Sequence, residues 1–263
     1  MKRQFARLLA ELAGRHGPQG WWPIRSERHL FANDTDPRQH RGYHPGELDF
    51  PRTRQGRWEI VMGAVLTQNT AWTNVERALD ALADARVTAP ETLLDLEPTE
   101  LGALIRPAGY FNQKSRYLRA VGEWFLEQDE DLTTGPRSRA TVQTARPRLL
   151  AVRGVGRETA DSILLYAYRL PTFVIDAYTR RVLEGRDLIA AAAPYEQLRS
   201  LCEGVFWRST DARRVEVWQE AHALFVEEAK SLRRGRTTRS GHSPSGSATN
   251  RTRDQRDGPP LSR

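Results

Sequence analysis

The chain is poor in the residues that build covalent or metal-held frameworks. Its 263 residues include one cysteine, Cys202, which excludes an internal disulfide network and any four-cysteine metal site. A reducing cytoplasm fits that usage. Lysine is nearly as scarce: of 40 Lys and Arg only Lys2, Lys114 and Lys230 are lysines, so chemistry that needs an amine nucleophile has few places to reside. The six histidines, His16, His29, His40, His44, His222 and His242, are scattered, and no metal site is expected from them. No apolar run approaches the roughly 20 residues that span a bilayer. Phe5 to Leu12 is short and broken by charge, unlike a signal peptide. No stretch alternates apolar and polar residues as a half-buried strand does, so an all-α class is expected.

What the chain has in quantity is arginine. Lys and Arg outnumber the 33 Asp and Glu, giving a net charge of +7. A polyanionic partner such as nucleic acid fits that sign. The excess is uneven, however. Eight Arg against two Asp place +6 of it in residues 231–263, and the remainder of the chain is nearly neutral. That tail is Ser, Gly, Thr, Pro and Arg, too polar to bury a core, and is expected to be disordered and basic. It is read either as a weak phosphate binder or as a solvated extension without a role.

Along the chain, Phe5, Leu8, Leu9 and Leu12 share one helical face, and glycines from Gly14 onward end that helix. Gly20-Trp21-Trp22-Pro23 is an aromatic pair in a loop, where tryptophan is most often a core plug. Residues 25–57 have no period and read as a polar inserted loop, partly disordered and able to touch DNA backbone. Trp58 to Gln68 is apolar on nearly all sides, a buried helix ending in Gln68-Asn69-Thr70-Ala71-Trp72. Pro90 and Pro98 open two short helices. Pro107 to Asn112 is a turn bearing Tyr110. Ser138 to Val152 reads as a helix interrupted at Pro147, Arg157 to Tyr168 as another, and Tyr195 to Phe206 and Val215 to Lys230 as the last two.

The stretch from Leu149 to Leu183, LLAVRGVGRETADSILLYAYRLPTFVIDAYTRRVL, carries the chemistry. Gly154-Val155-Gly156 is a tight turn between helical runs. A helix entered through glycines offers free backbone N–H groups that suit a phosphate. Asp176 follows the apolar run Phe173-Val174-Ile175 and, on the residues alone, reads as an N-cap. Two glycines in a turn are a weak signal, but this frame resembles the helix-hairpin-helix plus Gly/Pro-Asp loop of the endonuclease III superfamily of base excision DNA glycosylases. The phrases WWP, LTQNTAW, RPAGYFNQK and GRETADSILLYA are most similar to the 3-methyladenine DNA glycosylase III type. The resemblance spans Trp58 to Lys230.

It implies a two-lobed helix-hairpin-helix DNA glycosylase fold. Residues 58–170 would form a helical barrel with the hairpin, residues 1–24 with 171–230 the second lobe, and the groove between them would accept kinked duplex DNA. It also implies roles. Gly154, Val155, Gly156, Arg157 and Thr159 would hold a phosphate, and hairpin carbonyls would take a monovalent cation. Asp176 would be catalytic, stabilising an oxocarbenium-like sugar and orienting water. Gln68 would fill the gap left by a flipped base, and Tyr110 would wedge the opposite strand. Trp21, Trp22 and Trp72 would line the base pocket, where aromatic faces attract an N-alkylated, cationic purine. Glu158 stands where the strand-cleaving branch has a lysine, and a carboxylate cannot form a Schiff base. The cysteines of an iron–sulphur cluster are missing. These features imply a monofunctional, cluster-free, monomeric and cytoplasmic, nucleoid-associated glycosylase that hydrolyses the N-glycosidic bond of a damaged base in double-stranded DNA. The rivals are a bifunctional oxidised-pyrimidine glycosylase/lyase, and a non-catalytic protein using the hairpin as a phosphate clamp.

Overall fold

A computed structural model describes residues 2–32, 36–190, 192–206 and 209–240. These carry eleven α-helices and no strand, as the patterning leads one to expect. Helix α1 (Lys2–His16) buries Phe5, Leu8, Leu9 and Leu12 and runs through Gly14. It ends at Gly17, whose φ of +65° reverses the chain. Helix α2 (Arg54–Leu66) starts four residues before Trp58, because the Thr53 hydroxyl caps the amide of Gly56 at 2.9 Å. Every residue from Trp58 to Leu66 is buried.

Around α2 pack α3 (Trp72–Asp84), α4 (Pro90–Leu94), α5 (Pro98–Leu104) and α6 (Phe111–Thr134), then α7 (Arg139–Leu150) and α8 (Arg157–Ser162). Proline opens α4 and α5 at the position where its missing N–H costs nothing. Pro147 does not interrupt α7. It sits in the last turn, and the carbonyl it frees belongs to the exposed Gln143 and faces water. Nor does α8 run on as one helix to Tyr168, because a wholly buried π turn spans Ile163–Ala167. These elements form the first lobe.

The second lobe joins the chain's ends. Helix α11 (Asp211–Ser240) packs against α1 and against α9 (Ala177–Gly185), and α10 (Tyr195–Glu203) completes it. Phe5 meets Phe225 edge-on at 5.7 Å, and Glu228 accepts from Arg15 at 2.7 Å and contacts His16 at 2.8 Å. Because α11 continues to Ser240, the expected disordered tail does not begin at residue 231. Residues 241–263 lie outside the described residues.

The described residues of the insertion, 25–32 and 36–57, are held by specific bonds. Glu27, fully buried, accepts from the amides of Arg52 and Thr53, the latter at 2.7 Å. Glu59 accepts from the amides of Arg25 and Ser26 at 2.7 and 2.9 Å. Buried carboxylates here take up orphan amides, and Phe50 carries the segment into the core with Phe31 edge-on at 5.0 Å. The returning strand of the insertion lies on the Gly20–Ile24 segment. His44 bonds through its ring to the Trp22 carbonyl at 2.9 Å, and Ile24 donates to the Gly42 carbonyl at 2.8 Å.

Candidate functional site

A cleft of about 1390 Å³ lies between the lobes. Its walls bring together Trp21, Trp22, Gln68, Trp72, Tyr110, Gly154, Gly156, Glu158, Thr159 and Asp176. Val155 and Arg157, also expected at the site, do not line it. Val155 is buried behind the turn, and Arg157 points outward toward Glu196 at 3.6 Å.

Asp176 is placed by the segment before it. Phe173, Val174 and Ile175 are buried, and Glu203 accepts from the Phe173 amide at 3.2 Å. The fully buried Asp161 on α8 takes Arg146, the Thr172 hydroxyl and the Tyr195 hydroxyl, all within 3.0 Å. Asp176 then opens α9 and does two things at once. One oxygen accepts from the Thr179 amide at 2.6 Å, a helix cap, and the other faces Nε2 of His222 at 3.5 Å. Burial alone would push this carboxyl up, but the facing imidazole and the Thr179 amide outweigh it and hold it below the usual carboxylate range. The cap of α9 and the ionised acid of the cleft are therefore the same group.

His222 has no signal in motif spacing, and sequence reasoning missed it. Its Nδ1 lies 2.7 Å from the Tyr166 hydroxyl, which donates to the Gln219 carbonyl at 3.1 Å. The Tyr166 hydroxyl thus fixes the ring through Nδ1 and leaves Nε2 turned toward Asp176. Gln219 and His222 are three apart and both buried, so two polar residues sit on one inward stripe of α11. That stripe was the available clue.

The hairpin turn needs its first glycine. Gly154 has φ +86°, and a Cβ there would lie 2.1 Å from the Tyr117 ring. Gly156 opens α8 with no side chain to cap it, so the first-turn amides have no intrahelical partner. Gln68 is folded onto this turn, its Nε2 donating to the Gly154 carbonyl at 2.9 Å and the Thr159 hydroxyl at 3.0 Å.

Tyr110, by contrast, is 68% exposed and held in a left-handed conformation, φ +48°, at the head of α6. Lys114 ties the two loops together. It is buried and donates to the Leu66 carbonyl at 2.7 Å, the Thr70 hydroxyl at 2.6 Å and the Ala108 carbonyl at 2.9 Å. Burial pushes its pKa down to about 8, while these three acceptors favour the ammonium.

The three tryptophans pack on one another, with centroids 5.5 to 5.8 Å apart. Trp22 is buried and backs the others edge-on to Tyr166, whereas Trp21 and Trp72 are half-buried. Lys230 stands 5.7 Å over the Trp21 ring. The insertion adds Arg38, Arg41 and Tyr43 to the cleft wall, none of them anticipated. Tyr43 meets Trp21 edge-on at 6.3 Å, and burial pushes its hydroxyl up to about 12, so it is a neutral donor.

This geometry can hold a phosphate at one helix head and an ionised carboxylate at the next, with aromatic surface between. A model of the HhH-GPD superfamily of base excision DNA repair proteins matches residues 62–207. The chain belongs to this superfamily. It is a DNA glycosylase by that membership. A candidate DNA repair glycosylase of Methanocaldococcus jannaschii is 37% identical over 176 residues, 67% of this chain and 78% of the relative. An endonuclease III of Thermotoga maritima is 26% identical over 58% of this chain and 68% of its own length. Among solved structures, the H. pylori 3-methyladenine DNA glycosylase MagIII bound to 1,N6-ethenoadenine superposes with a TM-score of 0.55 at 24% identity, over 66% of this chain and 85% of that one. An endonuclease III–DNA complex gives a TM-score of 0.59 at 16% identity, over 86% and 84% of the two chains. These superpositions show the HhH-GPD glycosylase fold. No helix among the described residues is long and apolar enough to cross a membrane.

Proposed function

We propose that this HhH-GPD glycosylase hydrolyses the N-glycosidic bond of a flipped, alkylated purine in duplex DNA and leaves the abasic strand intact. The observation that carries the reading is the pairing of an ionised Asp176 at the head of α9 with a carboxylate, Glu158, at the hairpin position where an amine would be needed for strand cleavage. Lys114 supplies no nucleophile, since its three donors are already on protein acceptors.

The hairpin amides hold a phosphate beside the lesion, Tyr110 enters the opposite strand, and Gln68 leaves the hairpin to fill the vacated gap. The extruded base meets Trp21 and Trp72, and a cationic purine is drawn to those ring faces by about 0.5–2 kcal/mol. As the bond from C1′ to the base nitrogen lengthens, its electron pair leaves with the base. Asp176, oriented by Thr179 and His222, stabilises the positive sugar, and water adds to C1′. A protonated Asp176 could not supply that charge, so the depressed carboxyl matters. The enzyme works as a monomer and needs neither iron–sulphur cluster nor transition metal for this step.

Duplex DNA treated with a methylating agent tests the reading. The intact protein releases 3-methyladenine and strand breaks arise only after alkali; Asp176→Asn releases none. Nicking without alkali, with a protein–DNA adduct trapped by borohydride, would instead place the chain in the lyase branch, with Lys230 the amine in the cleft to test. Equal binding to damaged and intact duplex, with no base released, would leave only a phosphate clamp.

A further inference from the structure

The reading above leaves two acids of the cleft idle, Glu227 and, at the hairpin, Glu158. It stands in the first turn of α8 and lines the same cavity as Asp176 and His222. Its surroundings differ from those of its neighbours. Asp176 is bonded to Thr179 and faces His222, and Glu227 lies 3.9 Å from Lys230. Among the described residues, Glu158 has no hydrogen-bond or ion-pair partner. An acid without partners in a shared cavity, next to a carboxylate that must stay ionised, is the arrangement in which two acids divide their roles.

We propose that Glu158 is the general acid of this glycosylase and extends its substrates from cationic alkylated purines to neutral damaged purines. The proposal rests on Asp176 as the stabiliser of the sugar. A cationic base leaves as a neutral molecule and needs no proton. A neutral purine leaves as an anion unless a ring nitrogen is protonated as the bond to C1′ breaks. In the proposed step the Glu158 proton passes to that nitrogen, the glycosidic electron pair stays with the base, and water adds to C1′ and gives its proton to solvent through Asp176. Glu158 then recovers a proton from solvent.

The charges around it favour the protonated form near neutrality. Desolvation in the cleft and the negative charge of Asp176 push the carboxyl up to about 7, against a smaller downward effect of His222. Tyr195 of α10 faces it as a neutral phenol, and Arg157 beside it is engaged by Glu196. The side chain still reaches water, and the head of a helix favours the ionised form. Bound DNA opposes both effects, since it covers the cleft and sets a phosphate on the neighbouring amides.

The test is single-turnover base release by the full-length protein from pH 5.5 to 9. The duplexes carry either 7-methylguanine or a neutral purine, hypoxanthine or 1,N6-ethenoadenine. For the native protein, the ratio of neutral to cationic release should fall tenfold per unit above about pH 7, other titrations in the cleft dividing out. In Glu158→Gln, neutral release should drop about 100-fold or more, as expected for loss of a general acid, while 7-methylguanine release is retained and the ratio no longer depends on pH. Glu158→Asp should recover part of the neutral activity. An equal fall on both substrates in Glu158→Gln, a pH-independent ratio in the native protein, or release of 7-methylguanine but of no neutral purine would overturn the proposal. Failure of the native protein to release any base would sink the glycosylase reading beneath it.

Discussion

Two short helices open onto the cleft, and their heads are built in opposite ways. Helix α8 begins at Gly156, which has no side chain to offer its own first turn, so the amides remain available to an outside anion. Helix α9 begins at Asp176, whose carboxylate occupies its own first turn through Thr179. The same orphan amides thus stay open at one head and fix an ionised carboxylate at the other. A helix N-terminus is therefore not a function; the residue at its cap decides whether it recruits charge or holds it.

The sharpest way to break this comparison is Asp176→Asn. Asparagine caps as well as aspartate does, so thermal stability at neutral pH should change little, while base release should fall by roughly 10² to 10⁴. Calorimetry beside single-turnover kinetics checks both halves, and a large loss of stability would show that the cap is the main role. The acid limb sharpens it further. The folded carboxyl lies below its free value of 3.8, so its stabilising contribution is present above that pH and lost as pH falls through the folded value. Asp176→Asn should flatten that part of an acid unfolding curve.

Next in size is the other helix head. Gly154→Ala forces a Cβ into the Tyr117 ring at a positive φ, and should cost about 1–3 kcal/mol in urea unfolding while weakening binding to intact duplex. Unchanged DNA affinity would remove the hairpin from the phosphate role. A smaller effect is expected from Gln68→Ala. It loses the bonds to Gly154 and Thr159, about 1 kcal/mol net, and base release should fall more than duplex binding, since only the flipped state uses the side chain. Equal losses would mean that Gln68 merely braces the hairpin. Smallest is Tyr43→Ala, which removes an edge-on aromatic contact to Trp21 worth about 0.5–1.5 kcal/mol; stability should fall by about that amount and base release severalfold.

Much of this was legible in the chain. The glycine turn, Asp176 after an apolar run, and the glutamate in place of a lysine are local signals, because helix entry and capping are decided within four residues. The order in the described part of the insertion was not legible, for a physical reason. Its order comes from Glu27 and Glu59 accepting distant backbone amides, and a buried carboxylate looks like a surface one in sequence. His222, Tyr166 and Lys114 were equally hidden, since each acts through partners 48 to 56 residues away in its longest-range bonds.

The sequence by itself determined the helical class, the glycine turn, the acid after an apolar run and the absence of a lysine at the hairpin. Tertiary structure alone decided that the cap of α9 faces an imidazole from α11, that Gln68 rests on the hairpin, and that the insertion returns to set Tyr43 against Trp21. Propensity and capping act along a few neighbouring residues, whereas desolvation and charge pairing depend on which surfaces the fold presses together.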